Sequence, residues 1–389
     1  MTNTNTVCFS IKFVLRIFGI WPDASCVVLR RLFWSALLIV TQVFQYTYFV
    51  LHFHTDDLSD LMDNLSCSLA YTLLFIKLII FWINQRKFDE ILTMIATDWK
   101  ECANDPVGMH ITTSTATMSY RVANAIIGFH MVAVVTYSFG VLLSDENGDF
   151  NVSVVPARAL IIKMELPFDS NSSPIYELVM VVQFFQLMSN ACAIDVLNAL
   201  LLTLILHVGG QIDILREWLT KVFSKGSMYE TTKVTMKSVI GKHQKIIMFS
   251  ENVESLYSYI ALMQFVSNTM IICSIGFVIA SSLSSPDVST ILVKTLLFYI
   301  VMNLEAFIFC FAGEYLSTKV SSLNIGDAAY GSLWYDMRVN ESRVITFLIL
   351  RSQRRLTITI GKVMDLSLRR FASIVKASAS YVSVLLAMS

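Results

Sequence analysis

Charged residues are scarce in this chain. They make up only 15% of its 389 residues, whereas a soluble domain carries about 25%. Hydrophobic residues make up 55%, which is more than a soluble protein of this size can shield from water. The formal net charge is zero, so the overall charge gives no reason to expect a nucleic-acid partner. The composition therefore predicts an integral membrane protein.

Motifs for catalysis and metal binding are also absent from the sequence. The seven cysteines are scattered, odd in number and never spaced as CxxC, which argues against zinc sites, thioredoxin-like motifs and a disulfide framework. The six histidines show no metal-binding spacing with cysteine or carboxylate residues. There is no HExxH, GxSxG, Walker or GxGxxG motif. We therefore expect no enzymatic activity, no metal and no cofactor.

Seven apolar segments are long enough to cross a bilayer. The hydrocarbon core is about 30 Å thick, so a helix needs about 20 apolar residues to span it. The sequence thus predicts an all-α, polytopic membrane protein that forms a single seven-helix domain over residues 1–389. The predicted spans are residues 33–53, 65–83, 123–143, 175–208, 257–283, 290–316 and 371–388.

The fourth and sixth spans are longer than a bilayer requires. We expect their inner ends to project into the cytoplasm and pack together, with segments 209–256 and 317–365 forming a cytoplasmic anchor. Tyr330 and Trp334, one turn apart, are assigned to the core of this anchor, and a binding site for a cytosolic partner is the alternative. In the first segment, helical spacing places five apolar residues near one face: Ile246, Ile247, Phe249, Val253 and Leu256.

The distribution of basic residues predicts the orientation. With a cytoplasmic N-terminus, 22 of the 29 lysine and arginine residues fall in inner segments, and only Arg158 and Lys163 fall in outer ones. Cytoplasmic loops are the ones enriched in these residues, so the N-terminus is predicted inside and the C-terminus outside. A G-protein-coupled receptor has the reverse orientation, and its DRY and NPxxY motifs are missing. Residues 144–174 become an extracellular loop, where the sequons at Asn151 and Asn171 can carry glycans.

Four stretches of the chain resemble insect odorant receptors: RIFGIWP (16–22), HVGGQIDIL (207–215), GEYLSTKVSSLNIGDAAYGSLWYDM (313–337) and RRLTITIGKVMDLSLRRFASIVKASASYVSVLLAM (354–388). The similarity extends along the chain, and its texture is most like that of hymenopteran members. It implies a tuning subunit that binds an odorant or pheromone and forms a hetero-tetrameric, non-selective cation channel with the odorant receptor co-receptor. It also implies location in the plasma membrane of olfactory sensory neurons, in contact with lipid and a small volatile or apolar ligand.

The resemblance places the channel pore along the last helix. Five residues share one face of that helix by their spacing: Ala377, Ser380, Val384, Ala387 and Met388. The last three are expected at a hydrophobic gate, although small residues also suit an ordinary helix interface. Ala387 occupies a position that is often polar in the co-receptor, so a homotetramer of this chain is expected to conduct poorly. Lys376 is expected to point aside.

The ligand is expected in the outer half of the bundle. Pockets for small apolar molecules are lined by aromatic and aliphatic side chains with few polar anchors. Ten residues of the second, third, fourth and sixth spans are candidates, and each also suits plain helix packing: Tyr71, Leu74, Tyr137, Gly140, Phe185, Met188, Ser189, Leu296, Tyr299 and Met302.

Three charged residues lie within the predicted spans at positions that need an explanation. Asp195 is in the middle of a span and must face protein or water, and both a structural and a functional role are open for it. Lys77 and Lys294 lie nearer to span ends. We expect both lysines to snorkel and remain solvated.

Two other functions share parts of this architecture. A gustatory-type receptor channel has the same plan, but GDAAYGSLWYD (326–336) favours the odorant branch. A membrane transporter would need inverted repeats and spans broken by glycine or proline. None of the six prolines lies within a predicted span.

Overall fold

The computed structural model describes residues 6–23, 25–55, 57–146, 160–223, 236–282, 288–322, 343, 346–347, 350 and 356–388. Nearly all of this part of the chain is helical. The helices are α1 (Phe9–Ile17), α2 (Val27–His52), α3 (Leu58–Ile83), α4 (Gln85–Cys102), α5 (Pro106–Glu146), α6 (Ile175–Phe223), α7 (Met236–Ser282), α8 (Val288–Ser322) and α9 (Leu368–Met388). Two short strands are β1 (Thr359–Ile360) and β2 (Met364–Asp365).

The seven predicted spans coincide with α2, α3, α5, α6, α7, α8 and α9. By length and composition, the first six of these helices are able to cross a membrane. Helix α9 has 21 residues, which is enough for the hydrocarbon core at 1.5 Å per residue. It is less apolar, because it carries Arg369, Arg370 and Lys376.

Helices α6 and α7 extend far beyond the bilayer thickness. They have 49 and 47 residues, so each is roughly 70 Å long. The five apolar residues that were expected on one face between 246 and 256 are all buried. Segments 209–223 and 236–256 therefore continue these helices, although polar residues there hide the continuity from a hydropathy average.

The N-terminal helix α1 packs against the bundle at its inner end, where it contacts α6 and lies beside α2 and α3. The ring of Phe18, just after α1, stacks on Trp34 of α2 at 4.2 Å. The indole of Trp34 donates a hydrogen bond to the carbonyl of Ile17, and that of Trp82 donates one to the carbonyl of Phe18. Because each indole buries its ring while its N–H finds a partner, the N-terminal helix is fixed against the bundle.

A hairpin connects the inner region to α9. Strands β1 and β2 pair antiparallel, and Gly361 and Lys362 at the turn both have positive φ. Two such residues in succession give the turn type that matches strand twist. The amide of Gly361 donates to the carbonyl of Ser258 on α7, so the hairpin fixes the start of α9 to that helix.

The described part of the outer loop, residues 160–174, is held against the bundle. The side chain of Gln183 on α6 exchanges two hydrogen bonds with the backbone of Ile162. Asn64 on α3 donates to the carbonyl of Lys163, and Lys163 forms an ion pair with Asp60 at 2.6 Å. Ile162 is buried by these contacts, so the loop covers the space between the outer ends of the helices.

Candidate ligand-binding site

An internal cavity lies in the outer half of the bundle. It is bounded by α3, α5, α6 and α8 and covered by Ile162 of the outer loop. Its volume, counted as space for the centres of water-sized spheres, is about 80 Å³. One water needs about 10–15 Å³ on this measure, so the cavity has room for a small organic molecule. Its lining is Cys67, Ala70, Tyr71, Leu74, His130, Ala133, Val134, Tyr137, Ile162, Leu187, Asn190, Ala191, Ile194, Phe298, Val301 and Met302.

Helical spacing explains how these side chains meet. On α6, Leu187, Asn190, Ala191 and Ile194 recur at intervals of three and four, so they share one face. Alanines at three facing positions leave room where larger residues would close the space: Ala70, Ala133 and Ala191. The walls are mostly aliphatic and aromatic, as in pockets for small apolar ligands.

Four of the ten candidate ligand-binding residues line the cavity: Tyr71, Leu74, Tyr137 and Met302. The other six are absent from its described lining. Phe185 and Leu296 are largely exposed on the outside of the bundle. Tyr299 packs against a neighbouring apolar cluster, and Met188, Ser189 and Gly140 are half-buried beside the cavity-lining face.

His130 and Asp195 form a polar pair at the inner end of the cavity. The Nδ1 atom of His130 lies 2.7 Å from Oδ1 of Asp195. His130 lines the cavity, and both residues also line a smaller space just beneath it. Asp195 is buried and thus bonds a neighbouring helix, as the structural alternative predicted.

A second polar cluster lies beneath that pair. The ammonium of Lys77 on α3 is 2.6 Å from Oε1 of Glu305 on α8, and it donates to Asn198 on α6 at 3.2 Å. Lys77 is 1% exposed, so the expectation that it is solvated was wrong. Because a partner carboxylate lies within reach in the bundle, pairing replaces snorkelling.

Lys294 also departs from the expectation of a solvated lysine. Its ammonium lies 3.5 Å from Asp63 and 4.8 Å from the centre of the Tyr137 ring. The side chain is only partly exposed. Because Tyr137 lines the cavity, Lys294 helps to hold that ring in place from the side of the outer loop.

Sequence reasoning missed His130, Asn190 and Phe298 as lining residues. A detectable signal existed for two of them, because polar residues within a span must face protein or a cavity. Asn190 and His130 both satisfy that description and are five and 65 positions from Asp195 in the sequence. Phe298 is adjacent to the candidate Tyr299, and only the rotation of α8 separates the two.

Helix α9 is packed on one side only within the described chain. Ile374 and Ser378 are buried against α7 and α8, and the hydroxyl of Ser378 donates to the carbonyl of Thr269. Three of the five candidate pore residues, Ser380, Val384 and Ala387, are exposed, as is Lys376, and Ala377 is half-buried.

Some candidate residues lie outside the part of the chain that the structure describes. They are the side chain of Met388, the predicted anchor residues Tyr330 and Trp334, and the sequon at Asn151. Asn171 is exposed in the outer loop.

Comparison with known proteins identifies the family. A family model described as "7tm Odorant receptor" matches residues 57–379. The chain is 26% identical over 359 residues to Odorant receptor Or2 of Anopheles gambiae, covering 89% of each protein. It is 24% identical over 398 residues to Odorant receptor 13a of Drosophila melanogaster, covering 94% of this chain and 89% of that one. The olfactory receptor OR5 of Machilis hrabei in complex with eugenol has the same fold, with a TM-score of 0.78, 17% identity and 97% coverage of both chains. This chain therefore belongs to the 7tm odorant receptor family, a family of multi-pass membrane receptors and not of enzymes.

Proposed function

We propose that this chain is the ligand-binding subunit of an odour-gated, non-selective cation channel in the plasma membrane of olfactory sensory neurons. Its ligand is a small volatile or apolar molecule, an odorant or a pheromone, bound in the cavity between α3, α5, α6 and α8. The observation that carries this proposal is the cavity itself, which is largely apolar and covered on its outer side by a loop tied to two helices. The structure of the Machilis hrabei receptor is of a complex with eugenol, which supports a ligand of this size.

The pore is assigned to α9. One side of this helix packs on α7 and α8, whereas Ser380, Val384 and Ala387 face away from the subunit. Such a face suits an axis shared by several subunits. A narrow apolar ring formed there would close the channel by excluding water.

The partner is proposed to be the odorant receptor co-receptor in a hetero-tetramer. Alanine at position 387 offers no polar atom to water, so four copies of this chain would form a dry constriction. A co-receptor with a polar residue there would allow water and cations to pass.

Expression with and without the co-receptor tests this function. We expect a panel of volatiles to evoke cation current only in cells that also contain the co-receptor. The variant Ala191→Phe should remove the response while the protein still reaches the cell surface, since the added ring fills the cavity. Val182→Phe is the matched control, because Val182 lies exposed on the outer surface of the same helix. An unchanged response of Ala191→Phe would rule out this cavity as the ligand site.

A further inference from the structure

Two polar side chains of the cavity have hydrogen-bonding capacity that nothing in the described chain uses. The hydroxyl of Tyr71 and both amide atoms of Asn190 make no hydrogen bond there. Both residues line the cavity, and Tyr71 and Asn190 are 5% and 2% exposed. The two groups approach each other without reaching hydrogen-bonding geometry.

A second asparagine on the same helix shows the ordinary situation. Asn198, two turns further along α6, accepts from Lys77 and donates to Glu305. Buried amides are normally paired in this way, because an unpaired one loses its hydrogen bonds to water without compensation. The unpaired amide of Asn190 therefore indicates a partner that is a ligand or a water molecule.

The remaining lining determines which ligand groups are compatible. Within the described lining, the one basic side chain is His130, and its Nδ1 atom is already paired with the carboxylate of Asp195. A carboxylate or ammonium ligand would therefore lack a counter-charge. Towards the outer loop the walls are mostly apolar, with Ile162, Leu187 and Phe298 beside Cys67 and Tyr137. An apolar ligand body fits there, with its polar group deeper, between Tyr71 and Asn190.

We propose that the cavity selects ligands that carry a hydroxyl group, an alcohol or a phenol, placed between Tyr71 and Asn190. This inference rests on the proposed function of the cavity. A hydroxyl oxygen donates one hydrogen bond and accepts others, so it satisfies the amide oxygen of Asn190 together with the amide nitrogen or the Tyr71 hydroxyl. A ketone, ester or ether only accepts and leaves the Asn190 oxygen unpaired. A hydrocarbon leaves all three atoms unpaired.

Three compounds of nearly equal shape test the proposal. Benzyl alcohol, benzyl methyl ether and ethylbenzene are applied to cells that contain the full chain and the co-receptor, and the half-maximal concentration for current is measured. We expect benzyl alcohol to act at a concentration at least about tenfold lower than ethylbenzene, because each buried polar group left unpaired costs about that factor or more. The ether is expected between the two.

Variants assign this selectivity to the two residues. Asn190→Leu should lower the preference for the alcohol over ethylbenzene about tenfold, and Tyr71→Phe should lower it by a smaller factor. Asn303→Leu is the matched control, because Asn303 bonds the carbonyl of Tyr299 on its own helix and is absent from the described lining. If Asn190→Leu fails to reach the surface, the same potency ratio is measured for Tyr71→Phe, which removes a single oxygen and is expected to lower the preference by the smaller factor.

The outcomes separate this inference from the proposed function. Equal potency of alcohol and ethylbenzene, or an unchanged preference in both variants, would show that the amide is hydrated and would overturn the inference. So would activation by other volatiles of a panel but by none of its alcohols and phenols, while the receptor function would stand. Absence of any ligand-evoked current with the co-receptor present, despite surface expression, would instead contradict the proposed function.

Discussion

Two sites on helix α6, one around Asn190 in its outer half and one around His207 in its inner half, treat buried polar groups in opposite ways. In the outer half, Asn190 lines a cavity and has no partner within the described chain. In the inner half, both ring nitrogens of His207 are engaged, with the hydroxyl of Thr6 at 3.3 Å and the carboxylate of Asp98 at 3.1 Å. The same helix thus carries a site with spare hydrogen-bonding capacity and a site with none to spare.

The inner site is a network that we call the Asp98 network, made of Asp98, His207, Lys242, Thr6 and Trp99. One carboxylate oxygen of Asp98 contacts Nε2 of His207, and the other accepts a hydrogen bond from Lys242 at 2.9 Å. The indole of Trp99 donates to the same Thr6 hydroxyl that contacts His207. The residual space beside the network is about 10 Å³, which holds at most one water.

The difference between the two sites on α6 fits two roles, ligand binding at the outer site and structural support at the inner site. A binding cavity needs groups that are unpaired until a ligand arrives, and it accepts the cost in stability. The inner site has groups that are paired already, and these contacts hold α4, α6, α7 and the N-terminal segment in a single arrangement.

The largest expected effect concerns the ion pair beneath the cavity. Lys77→Met leaves Glu305 buried without its cation, and we expect the free energy of unfolding to fall by about 3–5 kcal/mol. The measurement is denaturant unfolding of the purified chain in mixed micelles. Lys294→Met is the control, with an expected loss below about 1 kcal/mol, because that pair is longer and more exposed.

A double substitution checks the reason for this loss. Lys77→Met combined with Glu305→Leu removes both charges, and most of the lost stability should return. If the single variant were as stable as the parent chain, the pair would not hold the floor of the cavity. The boundary between the unpaired groups of the cavity and the paired groups of the inner region would then lie further inward than Lys77 and Glu305.

A smaller effect is expected in the Asp98 network. Asp98→Asn keeps the shape but removes the charge that His207 and Lys242 contact, and should cost about 1.5–3 kcal/mol near neutral pH. Glu101→Gln is the control, with a cost below about 1 kcal/mol, because the pair of Glu101 with Lys245 lies at the surface and the contact of Glu101 with Lys242 is long, at 3.9 Å. Equal losses in the free energy of unfolding for the two variants would show that the buried Asp98 network contributes no more stability than a surface ion pair.

The pH dependence of this cost follows from the carboxylate. Burial opposes ionisation of Asp98, but the hydrogen bond from His207 and the charge of Lys242 outweigh it and hold its pKa below the usual range. A lowered pKa in the folded state adds stability above the ordinary aspartate pKa of about 3.9, and this stability is lost as the pH falls through the lower folded value. The difference between parent and Asp98→Asn should therefore stay constant from pH 7 to about 5 and shrink below about pH 4.

The sequence predicted the helices far better than it predicted which residues face the cavity. Apolar length alone predicted seven long helices, six of which are long and apolar enough to cross a membrane, since lipid leaves a backbone few other choices. On α6, however, Phe185, Met188 and Ser189 were chosen where Leu187, Asn190 and Ala191 line the space. The polar residues Gln183, Gln186, Asn190 and Asn198 of α6 are all buried, and they mark a face from which the rotation of the helix could have been predicted, because polar residues within a span face protein or a cavity.

Long-range partners were the second gap. Asp195 was correctly expected to face protein, because that requirement follows from the residue and its depth alone. Lys77 was expected to be solvated because it lies nearer to a span end. Its partner Glu305 lies 228 positions away in the sequence, and the pairing of α3 with α8 is a property of the fold that the residue and its depth do not reveal.

The smallest changes in the free energy of unfolding are expected at two glycines, Gly313 in the inner region of the bundle and Gly140 in the outer region. A Cβ on Gly313, in the inner part of α8, would lie 2.5 Å from the Cβ and the backbone oxygen of Leu366, just before α9. A Cβ on Gly140, in the outer part of α5, would meet only the Cβ of Lys294 at 4.0 Å. Overpacking costs about 1–3 kcal/mol, whereas replacing glycine by alanine within a helix gains about 0.5–1 kcal/mol.

The two alanine variants should therefore change stability in opposite directions. Gly313→Ala is expected to lower the free energy of unfolding by about 1 kcal/mol net, and Gly140→Ala to raise it by about 0.5–1 kcal/mol. Because Leu366 directly precedes α9, the strain at position 313 should also shift the ligand concentration for half-maximal current. A Gly313→Ala variant with the stability and the response of the parent chain would contradict this expectation. It would show that the junction of α8 with α9 shifts to accommodate the added methyl group and is not a rigid part of the inner region.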